Sequence, residues 1–304
     1  MNYIIYILKD TITSKQLFDE LLHQITVYET QEAKEIVFWL LEHELNLKKI
    51  DILANKPITN TRNIDWGAIV SRLNSHEPIQ YILGETFFYG RKFLVNESVL
   101  IPRPETEELV AWVSKWEKET GKQSAQKKVL DIGTGSGCIA VSLAKELSHA
   151  QVWAYDISDK ALATAQKNAA INKADVVFEK VDILQYLTAD VEDTLKFDII
   201  ASNPPYVTKQ EAQQMRNNVL DFEPHLALFV EDTEPLIFYE AIARFAFQTL
   251  KKDGVVVVEI NEHLGPETAQ VFIDAGFAEA SVIQDIHNKN RFVQAAFSKK
   301  MKKD

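Results

Sequence analysis

The chain contains one cysteine, Cys138, in 304 residues. No internal disulfide can form, which fits a reducing cytoplasm. No apolar run approaches the roughly 18 residues of a membrane span. Residues 3–8 are apolar, but no positive residue precedes them and no small-residue cleavage site follows, so they do not read as a signal peptide. The seven histidines are scattered, without a His-x-x-x-His pair or cysteine partners, and nothing in that pattern builds a metal site. Basic residues are outnumbered 33 to 44, a net charge of -11, which argues against direct nucleic-acid binding. The basic run Lys299-Lys300-Met301-Lys302-Lys303 reads as a solvated chain end. Glycine is also scarce. There are ten, well below the roughly 7% of average usage, yet Gly133, Gly135 and Gly137 fall within five consecutive residues.

What is present is an ordinary globular composition, 46% hydrophobic and 25% charged. The length suggests two domains at about 150 residues each. Residues 1–76 read as a small helical domain for partner recognition. Thr13 and Gln16 can form a capping box ahead of Leu17, Leu21, Ile25 and Tyr28. Thr30 can cap a second helix carrying Val37, Leu40, Leu41 and Leu45, and Trp66, Ile69, Val70 and Leu73 form a third stripe after Asp65. Residues 77–104 read as a linker containing a β-hairpin, 86–89 and 92–95 around Gly90-Arg91, followed by the stiff Ile101-Pro102-Arg103-Pro104.

From 105 to 304 the pattern is α/β. Seven strands are expected at 129–132, 152–155, 176–179, 197–202, 255–260, 280–283 and 292–297, with helices near 138–148, 159–171, 236–251 and 266–275. Strands alternating with helices predict a parallel sheet covered on both faces. The link 284–291 is too short for a crossover helix, so the last two strands are expected to be antiparallel.

Gly133-Thr134-Gly135-Ser136-Gly137 joins the first strand to a helix start, where glycine lets the backbone turn and approach a ligand. Asp156 ends the second strand, placing a carboxylate where ribose hydroxyls can donate to it. This much also fits a dinucleotide enzyme. Two further carboxylates favour S-adenosylmethionine. Asp131, just before the glycines, can face a cationic methionine moiety. Asp182 can reach an adenine amino group while Ile183 covers the ring.

The fourth strand runs into Asn203-Pro204-Pro205-Tyr206. Two prolines make this loop rigid and remove two backbone donors. The Asn203 side-chain oxygen and the Pro204 carbonyl can accept both hydrogens of one planar NH2 group, and Tyr206 offers it an aromatic face. Such a nitrogen is a poor nucleophile because its lone pair is delocalised. Holding both hydrogens and aligning the nitrogen with a sulfonium methyl is catalysis by positioning, without a strong base. Asn203, Pro204 and Tyr206 are the expected catalytic residues, all four motif residues the expected substrate contacts, and Asn203 also borders the cofactor.

With these motifs the chain resembles the release-factor glutamine methyltransferases of the PrmC/HemK type. The resemblance rests on the glycine loop, Asn203 to Tyr206, Glu77-Pro78-Ile79-Gln80-Tyr81-Ile82-Leu83-Gly84 and Val99-Leu100-Ile101-Pro102-Arg103-Pro104-Glu105-Thr106-Glu107-Glu108-Leu109. Phe222-Glu223-Pro224 and the late Asp285 with Arg291 complete it. It implies a Rossmann-like class I S-adenosylmethionine-dependent methyltransferase domain and N5-methylation of the glutamine in the Gly-Gly-Gln motif of peptide-chain release factors. It also implies that the glycine loop, Asp156 and the position after Asp182 hold the cofactor. A Glu-Ile-Gly pattern common in the family appears here as Glu259-Ile260-Asn261. The rival reading is an N6-adenine methyltransferase on DNA or RNA, since adenine N6 presents the same planar NH2.

Overall fold

The computed structural model describes residues 12–58, 64–120, 126–186, 195–213 and 215–297. The apolar stretch 3–8 and the basic tail lie outside the described residues. The chain divides into two compact units, one of residues 1–84 with 216–222, the other of residues 85–215 with 223–304. The stretch expected as a linker is thus shared between the two.

The first unit holds β1 (Ile12–Thr13), α1 (Ser14–Gln24), α2 (Thr30–Leu45), α3 (Lys49–Leu53), β2 (Pro57–Ile58), α4 (Trp66–Asn74) and α5 (Ile79–Leu83). The capping box forms as expected, with Thr13 accepting from the Gln16 N–H and Gln16 reaching back to the Thr13 N–H. Asp65 caps α4 through Ala68. Thr30 is the first helical residue instead of the cap; Glu29, in extended conformation, takes that position without a side-chain bond. Leu17, Leu21, Val37, Leu40, Leu41 and Leu73 meet in one core, so each stripe is buried by the others.

The second unit begins with the hairpin β3 (Glu85–Phe88) and β4 (Arg91–Leu94). Its two-residue turn, Tyr89 and Gly90, has positive φ at both positions, the type I′ geometry that matches strand twist. The hairpin belongs to this unit because Phe88 and Phe93 sink into its core, and because Asn168 accepts from the Leu94 N–H and donates to its carbonyl. Then follow α6 (Pro104–Thr120), β5 (Lys127–Ile132), α7 (Cys138–Glu146), β6 (Ala150–Asp156), α8 (Asp159–Asn172), β7 (Val176–Lys180), β8 (Phe197–Ser202), β9 (Val207–Thr208) and α9 (Lys209–Ala212). A short α10 (Asn217–Leu220) groups with the first unit. The chain continues through β10 (Phe229–Val230), α11 (Ile237–Thr249), β11 (Leu250–Glu259), α12 (Gly265–Asp274), β12 (Glu279–Gln284) and β13 (Asn290–Ala296).

The main sheet has seven strands in the order β12-β13-β11-β8-β5-β6-β7. From β11 to β7 every pairing is parallel, and β13 runs antiparallel to both β11 and β12. Successive residues of a strand face opposite sides. Accordingly Val129, Ile199, Val255 and Val257 pack with Val110, Val113 and Val141 on one face. Leu130, Ile200, Val256 and Val258 pack with Ile242, Phe245 and Phe272 on the other. Chain direction across the sheet reverses between β5 and β8, which opens a crevice at the carboxyl ends of those strands. Among the described residues no helix is long and apolar enough to cross a membrane.

Candidate active site

A cavity of about 510 Å³ opens at that crevice. The ends of β5, β6 and β8 contribute Ile132, Gly133 and Gly135, then Asp156, then Asn203, Pro204 and Pro205; Asp182 and Ile183 follow β7. Val99 and Leu100 wall one side, Pro224 and Leu226 another, and Phe238 and Ile242 rise from α11. The carboxylates and loops that the sequence separates by up to 70 residues therefore converge on one space.

Gly133 and Gly135 have φ of 71° and 54°, and a Cβ on either would meet no heavy atom within 4 Å. Their backbone faces open space, as a ligand cradle requires. Gly137 answers a different need. Its φ is 80°, and a Cβ there would lie 3.0 Å from that of Ala165 on α8. It lets α7 pack on α8 and does not line the cavity, nor do Thr134 and Ser136. Thr134 instead donates to Asp131 Oδ2 at 2.6 Å, and the Ser136 carbonyl accepts from Asn168 Nδ2 at 2.8 Å. Two of the five loop residues meet the cavity, and the other three fix them in place.

Asp131 has no exposed surface and stands behind the loop, outside the cavity lining. Its Oδ2 also takes the Ala140 N–H at 3.2 Å, while Oδ1 is buried without a partner. Burial pushes this carboxyl up to about 7, against the pull of the Thr134 and Ala140 bonds. A carboxylate held so far above its ordinary range, with one oxygen unpaired, favours a positive charge nearby. Asp156 is raised too, chiefly by burial and against amide bonds from Ser158 and Gly135. Each carboxylate oxygen has a second lone-pair site, so Asp156 can still accept ribose hydroxyls. Asp182 uses Oδ1 to accept the Leu184 N–H at 3.0 Å, leaving Oδ2 for a ligand. The open cradle, the orphaned Asp131 oxygen and the carboxylates at the strand ends fit an adenosine-bearing cationic cofactor.

Asn203 Nδ2 donates to Thr106 Oγ1 at 3.2 Å, which leaves its side-chain oxygen as an acceptor. Pro204 and Pro205 line the cavity beside it, but Tyr206 does not. The Tyr206 hydroxyl instead donates to Glu259 Oε1 at 3.1 Å, and burial holds its proton well above the ordinary tyrosine range. An aromatic face stacked on substrate, expected of Tyr206, is therefore not displayed in this conformation.

Thr106, Glu223 and Glu259 do not line the cavity but bond to the segments that form it, and each sits inside a stretch that carries the family resemblance or departs from it. Glu223 is 3% exposed and accepts from the Ile101 N–H at 3.1 Å and from Arg103 Nη2 at 2.6 Å. It fastens together the two segments that supply Val99, Leu100, Pro224 and Leu226. Asn261, standing where the family commonly has glycine, donates through Nδ2 to Glu211.

Residues 16–84 match the family model of the PrmC N-terminal domain, ending where the first compact unit ends. Residues 115–221 match that of the methyltransferase small domain. Among solved structures, the hMettl16 catalytic domain in complex with an RNA hairpin has a TM-score of 0.52 at 16% identity, covering 78% of this chain and 92% of that one, and shares the fold. The chain is 41% identical over 271 residues to the release factor glutamine methyltransferase of Bacteroides thetaiotaomicron, covering 88% of this chain and 94% of that protein. It is 45% identical over 276 residues to the enzyme of the same name from Flavobacterium psychrophilum, covering 90% and 94%. At that identity and coverage, the chain belongs to the release factor glutamine methyltransferase family.

Proposed function

We propose that this chain methylates N5 of the glutamine in the Gly-Gly-Gln motif of peptide-chain release factors, in the cytoplasm, without binding nucleic acid directly. Bound S-adenosylmethionine supplies an electrophilic methyl group at the cavity. Gly133 and Gly135 admit its backbone-facing side, Asp156 accepts its ribose hydroxyls, and Asp182 with Ile183 holds the adenine. Thr134, Ser136 and Gly137 support the cradle from behind.

The carrying observation is Asn203, placed at the cavity wall with its NH2 engaged by Thr106 and its oxygen left to accept. That oxygen and the Pro204 carbonyl take the two hydrogens of the glutamine amide. Pro205 keeps the loop from relaxing. Held in this way, the amide nitrogen presents its lone pair without having to lose a proton first. As the nitrogen–methyl bond forms the sulfur–methyl bond breaks, S-adenosylhomocysteine leaves, and the surplus amide proton passes to water after the transfer, so no strong base is needed. Tyr206 acts from behind the loop through Glu259.

Labelled S-adenosylmethionine with intact release factor in one reaction, and with adenine-containing DNA or RNA in another, tests this. Label in the release factor alone is expected. Label in nucleic acid alone would establish the adenine reading instead.

A further inference from the structure

Behind Asn203 lies a buried chain of polar groups. Thr106, 2% exposed, donates its hydroxyl proton to Glu259 Oε2 at 2.6 Å and accepts from Asn203 Nδ2 at 3.2 Å. Glu259, 1% exposed, accepts at its other oxygen from Tyr206. One carboxylate thus holds both ends of the Asn203–Tyr206 loop, one through Thr106 and the other directly. Resting on the function proposed above, we infer that Glu259 and Thr106 are positioning residues that fix which end of the Asn203 amide faces the substrate.

The protons available in this chain set the orientation of the amide. Glu259 receives Thr106 at Oε2 and Tyr206 at Oε1, so both of its oxygens act as acceptors and neither offers a proton back. The Thr106 hydroxyl has one, and the 2.6 Å contact commits it to Glu259. Toward Asn203, Thr106 therefore has only lone pairs, and Asn203 must answer with its NH2. Its oxygen is then the atom left for the cavity. The reverse orientation would set an NH2 against the substrate NH2, donor against donor, and would bury an unpaired oxygen against Thr106, costing about 1–3 kcal/mol. Glu259 is buried, so bulk water does not compete for these two bonds. Burial raises the Glu259 carboxyl above its ordinary range, and the Thr106 and Tyr206 bonds and then the Arg291 charge pull against it; Arg291 is itself held by Asp285 at 3.1 Å. This gives Thr106, Glu259 and the late Asp285–Arg291 pair one common purpose.

Three variants test it with release factor as substrate. Thr106→Val keeps the shape and removes the hydroxyl, whereas Thr106→Ser keeps the hydroxyl. Glu259→Gln keeps the size but has only one accepting end, so it cannot receive both Thr106 and Tyr206. The expected result is a fall in kcat of about tenfold or more for Thr106→Val and Glu259→Gln. Thr106→Ser should stay near the parent rate. KM and the dissociation constant for S-adenosylmethionine should remain near parent values in all three, which also shows that they fold. Parent-like kcat in both Thr106→Val and Glu259→Gln would overturn the inference and leave the proposed function standing. So would equal losses in Thr106→Ser and Thr106→Val, or a loss of kcat matched by a loss of cofactor affinity. A parent chain that does not methylate release factor would overturn both.

Discussion

Cofactor affinity should depend on pH through Asp131, the buried carboxyl behind the glycine loop. Its carboxyl is pushed by burial from 3.8 to about 7, a gap worth about 4 kcal/mol. Without ligand the carboxyl is protonated below about pH 7, and a sulfonium in the cavity favours the carboxylate, so binding releases a proton in that range. Affinity should rise with pH, by up to about fivefold between pH 6 and pH 7 and about twofold more above that before levelling off. Folding has the opposite slope. Because the folded pKa lies above the unfolded one, this group's contribution to stability is complete below the unfolded value, 3.8, and is lost as pH rises through about 7. Calorimetry of S-adenosylmethionine binding in buffers of different ionisation enthalpy measures the released proton. S-adenosylhomocysteine, with an uncharged sulfur, should show a shallower slope. Asp131→Asn can keep both Oδ2 bonds through its amide oxygen and should flatten the slope, with Asp156 supplying whatever remains. The same slope in parent and Asp131→Asn would refute the reasoning, as would affinity that does not vary with pH in the parent.

Asn203→Ala should abolish measurable methyl transfer while S-adenosylmethionine still binds, because it removes the acceptor for the substrate amide and leaves the glycine cradle alone; calorimetry beside a turnover assay separates the two. Gly137→Ala should lower stability by about 1–3 kcal/mol, since the new Cβ meets Ala165 at 3.0 Å in a left-handed backbone; an unchanged Tm would contradict that packing. Glu223→Ala leaves the Ile101 N–H and the Arg103 guanidinium without their acceptor and should cost about 1.5–3 kcal/mol. Because both cavity walls hang on Glu223, cofactor affinity should weaken as well, read by urea denaturation and by calorimetry.

Much of the molecule is legible in its sequence because its signals are local and repeated. The continuous apolar runs around Val129, Ile199 and Val256 mark strands buried on two faces, and the short link before β13 marks the antiparallel pairing. Asp156, Asp182 and Asn203 are findable because each ends a strand, and strand ends in such sheets meet at one crevice. What local pattern does not reveal is direction. Thr134 and Gly137 occupy the same loop as Gly133 but turn toward Asp131 and Ala165, a consequence of the tertiary packing of α7 on α8. Tyr206 reads as an aromatic platform, yet its hydroxyl finds a buried carboxylate on β11, 53 residues away. The division of the linker likewise depends on where Phe88 and Phe93 are buried, and alternation within the hairpin does not specify which core receives them.

By the proposed function, one side-chain amide, in one motif, receives the methyl group. Mass-spectrometric mapping of intact release factor after reaction with this chain and S-adenosylmethionine tests it most directly. A single methyl on the side-chain nitrogen of the Gly-Gly-Gln glutamine, absent when Asn203→Ala replaces the parent, is the predicted result. An unmodified glutamine, or a methyl on any other residue, would contradict the account.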